Sequence, residues 1–278
     1  MPVARTARTA DFLEQIADLA RPHIDARDVA VVVAHPDDET IGCGALLSRL
    51  IGVRVIVVSD GAPTNLRDAH AHGFSTATEY AAARTRELHT ALLLAGVTDR
   101  QIVQLGIPDQ AAAYRFPQLV SELAQLINDF RIRMVITHAY EGGHPDHDAT
   151  AFCMHRAARQ SSRPVSIVEM PFYRAGGSAD VRQSFVPYEN AAAVNAPLMP
   201  PERELKQKMI EAHATQKAVL AGFSLDREQF RGAPDYDFLQ LPNGGRVLYD
   251  REDWGVDSAR WGDCVRSALT AERGPVCA

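Results

Sequence analysis

The chain has 278 residues, 46% hydrophobic and 23% charged, a composition that excludes disorder and suits one large folded unit. A net charge of −6 provides no basic footprint, so nucleic acid is not an expected partner. Residues 1–15 lack the apolar core of a secretory signal and no apolar run reaches spanning length. A cytoplasmic protein without a membrane span is therefore expected.

In chain order, the spacing of apolar residues predicts an amphipathic helix over 11–20 and a fully buried strand over 29–33 (VAVVV). A helix over 41–51, stopped by Gly52, precedes a second strand over 53–58. Ser59-Asp60-Gly61 is read as the turn out of that strand. The segment 62–78 is long and polar, which marks a lid or a disordered loop. A helix over 79–95, a strand over 102–105, a helix over 116–130 and a strand over 134–137 follow. A helix then runs to about 158, a fifth strand covers 165–169, and a last helix covers 202–220.

Strands alternating with helices predict an α/β fold, Rossmann-like and doubly wound, with a mostly parallel sheet and helices on both faces. One domain over 1–278 is expected, its core at about 29–220 and an irregular extension over 221–278. The aromatics of that extension (Phe230, Tyr236, Phe238, Tyr249, Trp254, Trp261) suit a cover for the site or a contact between copies, hence a homo-oligomer. The four cysteines (Cys43, Cys153, Cys264, Cys277) show no CxxC spacing and read as ordinary thiols, Cys277 as tail. All three lysines (Lys206, Lys208, Lys217) cluster in one helix.

Two charged clusters stand where open α/β sheets place their ligands, at the carboxyl ends of strands. The first strand runs straight into His35-Pro36-Asp37-Asp38-Glu39, and the fourth into HAYEGGHPDHD over 138–148. Burying several carboxylates needs a strong compensating partner such as a metal ion. His35 with Asp38, and His144 with His147, offer ligands that suit zinc. In the doubly wound strand order 3-2-1-4 the first and fourth strands are neighbours, so the two clusters meet in one crevice. A dinucleotide-binding module is disfavoured, because the first strand is followed by HPDDE rather than G-x-G-x-x-G.

The pair AHPDDE (34–39) and HPDHD (144–148) resembles the PIG-L/LmbE-like zinc-dependent N-deacetylases, which remove acetyl groups from N-acetylglucosamine-type conjugates. Ser59-Asp60-Gly61, Arg84 with Glu87, Gly106-Ile107-Pro108-Asp109 and HATQ (213–216) support the resemblance, which covers about 29–216. It implies His35, Asp38 and His147 as metal ligands for zinc, with ferrous iron as the alternative. It also implies Asp37 as general base and His144 as the cationic or acidic partner, oriented by Asp146. Adjacent carboxylates hardly share one tight metal site, which agrees with Asp37 being left free to act on water.

Where some members carry a tyrosine two residues before the first histidine of HPDH, this chain has Gly142, and Tyr140 stands two residues earlier. Tyr140, Arg84 and His213 are the candidate substrate-binding residues. Plainer readings stand beside these: Arg84 and Glu87 as an exposed i,i+3 pair, His213 as a solvated helix residue, Glu39 as structural. The expected function is zinc-dependent removal of the N-acetyl group from an N-acetylated sugar or glycoconjugate. Hydrolysis of a larger thiol-sugar amide and a non-catalytic metal-binding module are the rivals.

Overall fold

The computed structural model describes residues 7–272; residues 1–6 and Cys277 lie outside them. Five parallel strands form the centre of a seven-stranded sheet: β1 (Val29–Val33), β2 (Arg54–Pro63), β3 (Ile102–Asp109), β4 (Met134–His138) and β5 (Ser166–Met170). They lie side by side in the order 3-2-1-4-5, which makes β1 and β4 neighbours as the sequence predicted. Beyond β5 the sheet continues antiparallel through β7 (Arg227–Gly232) to β6 (Val194–Pro197).

Alternation along β1 divides the core. Val29, Val31 and Val33 face α1 (Ala7–Ala17), α2 (Asp38–Leu47), α3 (Ala77–Leu94) and α6 (Pro200–Ala212). Ala30 and Val32 face α4 (Phe116–Asp129), α5 (Pro145–Gln160) and α7 (Ser258–Glu272). A strand covered on both sides has no polar face, hence its unbroken apolar run.

Several expectations are revised. Ser59-Asp60-Gly61 is not a turn out of β2 but part of it, and the strand continues to Pro63. The segment 62–78 is partly ordered: a short helix (Arg67–Ala71) packs Ala69 against Ala62 and Tyr80, and a capping box of Thr76 and Glu79 starts α3. The helix expected over 202–220 ends at Ala212; His213 leaves it with ψ 63°, so His213 and Gln216 do not share a helix face. The extension is less irregular than expected. It supplies β7 and α7, whose Trp261, Val265 and Ala268 are buried.

Helix α2 is broken at Cys43 (φ −148°). The groups freed there are satisfied from elsewhere in the chain. Glu228 accepts from the Ala45 and Leu46 amides at 2.8 and 3.1 Å, and Lys206 Nζ donates to the Ile41 carbonyl at 2.7 Å and to Glu228 at 2.8 Å. Both side chains are buried. This buried pair is what one member of the lysine cluster is for.

Candidate active site

The site lies at the carboxyl ends of β1, β3 and β4, which deliver His35, Asp109 and His138, while the start of α5 delivers His144 and His147. A cavity of about 200 Å³ opens onto it, lined among others by His35, Asp37, Asp38, Asp109, His144 and His147. All six are buried. Water would have solvated these groups well, so their burial is offset by their contacts with one another.

His35 is the hub. Its Nδ1 lies 3.2 Å from Asp38 Oδ2, and its Nε2 lies 3.0 Å from Asp109 Oδ1 and 3.6 Å from Asp146 Oδ2. His147 Nε2 approaches the other oxygen of Asp38 at 3.3 Å. Burial opposes charge on His35, but Asp109, Asp146 and Asp38 outweigh it and push the imidazole well above its ordinary range. Three carboxylates around one ring call for positive charge.

Two overlapping sets of side chains could hold a metal ion: His35, Asp38 and His147, or His35, Asp109, His144 and Asp146. Hydrogen bonding favours the first. A ligating histidine donates its second N–H to a carboxylate or carbonyl, which fixes the tautomer. Asp109 occupies that position at Nε2, which leaves the Nδ1 lone pair toward Asp38 and His147. Ligand atoms in tetrahedral contact with zinc stand roughly 3.4 Å apart, and the Asp38 oxygens stand 3.2 and 3.3 Å from the two imidazole nitrogens. Two imidazoles and a carboxylate suit zinc or ferrous iron.

Asp37 faces the same cavity from a strained position, φ 145° and ψ −23°, outside the range that side chains ordinarily adopt. Its Oδ2 accepts from Arg84 at 2.8 Å. Burial raises its pKa to about 7, against the opposing charge of Arg84. Arg84 is thus held by protein groups: it also donates to the carbonyls of Gly61 and Pro36 at 2.7 and 2.9 Å. The guanidinium passes so close beneath Gly61 that a Cβ there would lie 2.4 Å from it, and Gly61 has φ +68°. That explains the glycine of Ser59-Asp60-Gly61.

His144 Nδ1 accepts from the Asp146 amide at 3.2 Å, so the neutral ring carries its proton on Nε2, 3.7 Å from Asp109. Burial, helped by the charge of His35, lowers its pKa to about 3. The expectation of a cationic His144 backed by the Asp146 carboxylate is therefore revised. That carboxylate instead accepts from the Gln110 and Ala112 amides at 2.7 and 3.1 Å, holding the loop that carries Asp109.

Tyr140 and His213 do not line the cavity. Tyr140 is buried against the extension, where its hydroxyl donates to the Gln240 carbonyl and accepts from Trp261, both at 3.0 Å. That position does not fit the substrate-binding role expected of it. His213 is fully buried behind the site, its Nε2 3.2 Å from Thr40 Oγ1 and 3.5 Å from Glu39 Oε1. Glu87 accepts from the amide and hydroxyl of Thr215 at 3.0 and 2.7 Å, tying HATQ to α3.

Two site residues escaped the sequence reading. In the sequence Asp109 stands only as the end of a tetrapeptide, and His138 only as the first letter of a motif. His138 Nε2 accepts from the Ala34 amide at 2.9 Å and lies 3.4 Å from Asp38, its ring stacked on His147 at 4.2 Å. The signal available for both was their place just beyond the carboxyl end of a predicted strand, 102–105 for Asp109 and 134–137 for His138.

Residues 30–158 match the family described as PIG-L: GlcNAc-PI de-N-acetylase. A curated relative from Catenulispora acidiphila, 1D-myo-inositol 2-acetamido-2-deoxy-alpha-D-glucopyranoside deacetylase 2, is 30% identical over 147 residues, 44% of this chain. The match spans 48% of that relative, about half its length. Among solved structures, the zinc-inhibited form of teicoplanin deacetylase Orf2 aligns with a TM-score of 0.59 at 17% identity, over 75% of this chain and 99% of that one. N,N'-diacetylchitobiose deacetylase from Pyrococcus horikoshii aligns with a TM-score of 0.53 at 22% identity, over 82% and 93%. At such identities the likeness is one of fold.

Proposed function

We propose that this chain, which carries a PIG-L family domain over residues 30–158, is a metal-dependent N-deacetylase that hydrolyses the acetamide of an N-acetylated amino sugar or its conjugate. The observation that carries this reading is a free carboxylate oxygen beside a metal-binding triad. Asp37 Oδ2 is held by Arg84, its Oδ1 has no hydrogen-bond partner among the described residues, and both face the cavity that His35, Asp38 and His147 line. The names of the curated relative and of the aligned structures support the same reaction class.

Zinc, with ferrous iron as the alternative, would be held by His35, Asp38 and His147. Such an ion supplies Lewis acidity toward an amide carbonyl and toward water. Asp37, with its pKa near 7, takes the proton of the attacking water and can return it to the departing amine. Arg84 fixes the orientation of that carboxylate, and the strained backbone of Asp37 holds it apart from Asp38. His144 presents a neutral Nε2–H toward the cavity, where it can donate to the oxyanion of the tetrahedral intermediate. Collapse of that intermediate breaks the C–N bond and releases acetate and a free amine.

The test joins metal analysis to an assay of acetate release from N-acetylglucosamine conjugates. About one zinc or iron per chain is expected, lost in His147→Ala. Asp37→Asn should keep the metal while turnover falls roughly 10²- to 10⁴-fold. A folded, metal-replete His147→Ala protein would overturn the ligand assignment, and an Asp37→Asn protein of full activity would overturn the base.

A further inference from the structure

The wall of the cavity that the family match does not reach is built by Tyr173, Gln216, Val219, Leu220, Phe223 and Trp254. Trp254 stands there, half-buried, its ring centroid 4.6 Å from that of His144. The two tryptophans of the chain have opposite environments. Trp261 is buried and its indole N–H donates to Tyr140 at 3.0 Å, whereas the Trp254 indole N–H has no hydrogen-bond partner among the described residues and is not sealed from solvent.

The loop that presents Trp254 is anchored on several sides. The Trp254 amide donates to the Glu252 carbonyl at 3.0 Å, and the Tyr114 hydroxyl donates to the Gly255 carbonyl at 2.5 Å. Arg251 pairs with Asp180 at 2.8 Å, and Asp253 with Arg67 at 3.0 Å. The Arg67 pair joins this loop to the short helix whose Asp68 also lines the cavity. An aromatic face held at fixed depth, with Asp68, Gln110 and Gln216 also lining the cavity, matches the chemistry of a pyranose. Such a ring has an apolar C–H face and a rim of hydroxyls.

We infer that Trp254 is the platform on which the pyranose ring bearing the acetamide stacks, so that the extension sets the preference for a sugar over other acetamides. The inference rests on the deacetylase reading above. Trp254 lines the same cavity as Asp37 and stands 4.6 Å from the His144 ring, so a sugar on this platform lies beside His144. The polar residues of the cavity wall then meet the hydroxyls, and the indole N–H is an unused donor for one of them.

Tryptophan-selective excitation tests this directly, because Trp254 and Trp261 are the two tryptophans of the chain and Trp261 is buried. Titrating the full-length protein with N-acetylglucosamine should change the emission, while acetamide at equal concentration should not. The change should vanish in Trp254→Phe, which keeps an aromatic platform and should keep most of the affinity measured by calorimetry. Trp254→Ala should weaken sugar affinity and raise KM about tenfold, with a smaller effect on kcat. A sugar-dependent emission change without acetate release would uphold the platform and overturn the deacetylase reading. Acetate release with unchanged emission, or with an unchanged KM in Trp254→Ala, would overturn the platform and leave the deacetylase reading standing. Absence of both signals would overturn both.

Discussion

The Arg84 guanidinium lies 2.8 Å from Asp37 Oδ2, a buried pair that joins the middle of α3 to the residue just after the first strand. It changes the expected meaning of Arg84 from a group that meets substrate to one that sets the proposed base. Arg84→Met should therefore lower kcat roughly 10²-fold, the cost of a misplaced base, with KM and metal content little changed. A large rise in KM at constant kcat would return Arg84 to substrate binding. The variant should also lose about 3 kcal/mol of stability, since Asp37 would be left unpaired in the interior.

The Lys206–Glu228 pair bridges the break in α2, so its members differ in what they leave behind when removed. Lys206→Met leaves an uncompensated carboxylate and should cost about 3–5 kcal/mol in chemical denaturation. Adding Glu228→Gln to that variant should recover part of the loss, because the amide oxygen still accepts from the Ala45 amide. A double variant no more stable than Lys206→Met would refute this account.

Gly143 precedes His144, and a Cβ on it would lie 2.2 Å from the Tyr173 carbonyl oxygen. Backbone cannot give way as a flexible side chain can. Gly143→Ala should cost about 1–3 kcal/mol and slow turnover by displacing His144, and an unchanged denaturation midpoint would count against it.

Glu141 supplies a pH dependence away from the proposed metal ligands. Burial lifts its pKa from 4.5 to about 8, with Arg231 at 4.0 Å only partly opposing. The folded state thus holds this proton more tightly than the unfolded chain. Its stabilising effect is complete below about pH 4.5 and is lost as pH rises through 8. Glu141→Gln should flatten the fall in denaturation midpoint between pH 5 and 8. A slope in Glu141→Gln equal to that of the parent would assign it to other groups.

What the sequence determined by itself was whatever is written locally. The apolar run Val29–Val33, the alternation of strands with helices and the clusters HPDDE and HPDHD were legible because each is a contiguous pattern with one physical reading. The strand order brought the two clusters together, since β1 and β4 adjoin in the doubly wound arrangement. Tertiary structure decided the rest, where one residue's partner lies far along the chain. Arg84 on Asp37, Asp109 on His35, His138 beneath Asp38 and Trp254 against His144 join segments 47, 74, 100 and 110 residues apart. A lone arginine, aspartate, histidine or tryptophan carries no local mark of such a partner. The antiparallel strand Arg227–Gly232 was hidden for the same reason: REQFRG reads as exposed until Glu228 and Arg231 find buried partners in Lys206 and Glu169. Charge that is satisfied only at long range looks, in one dimension, like surface.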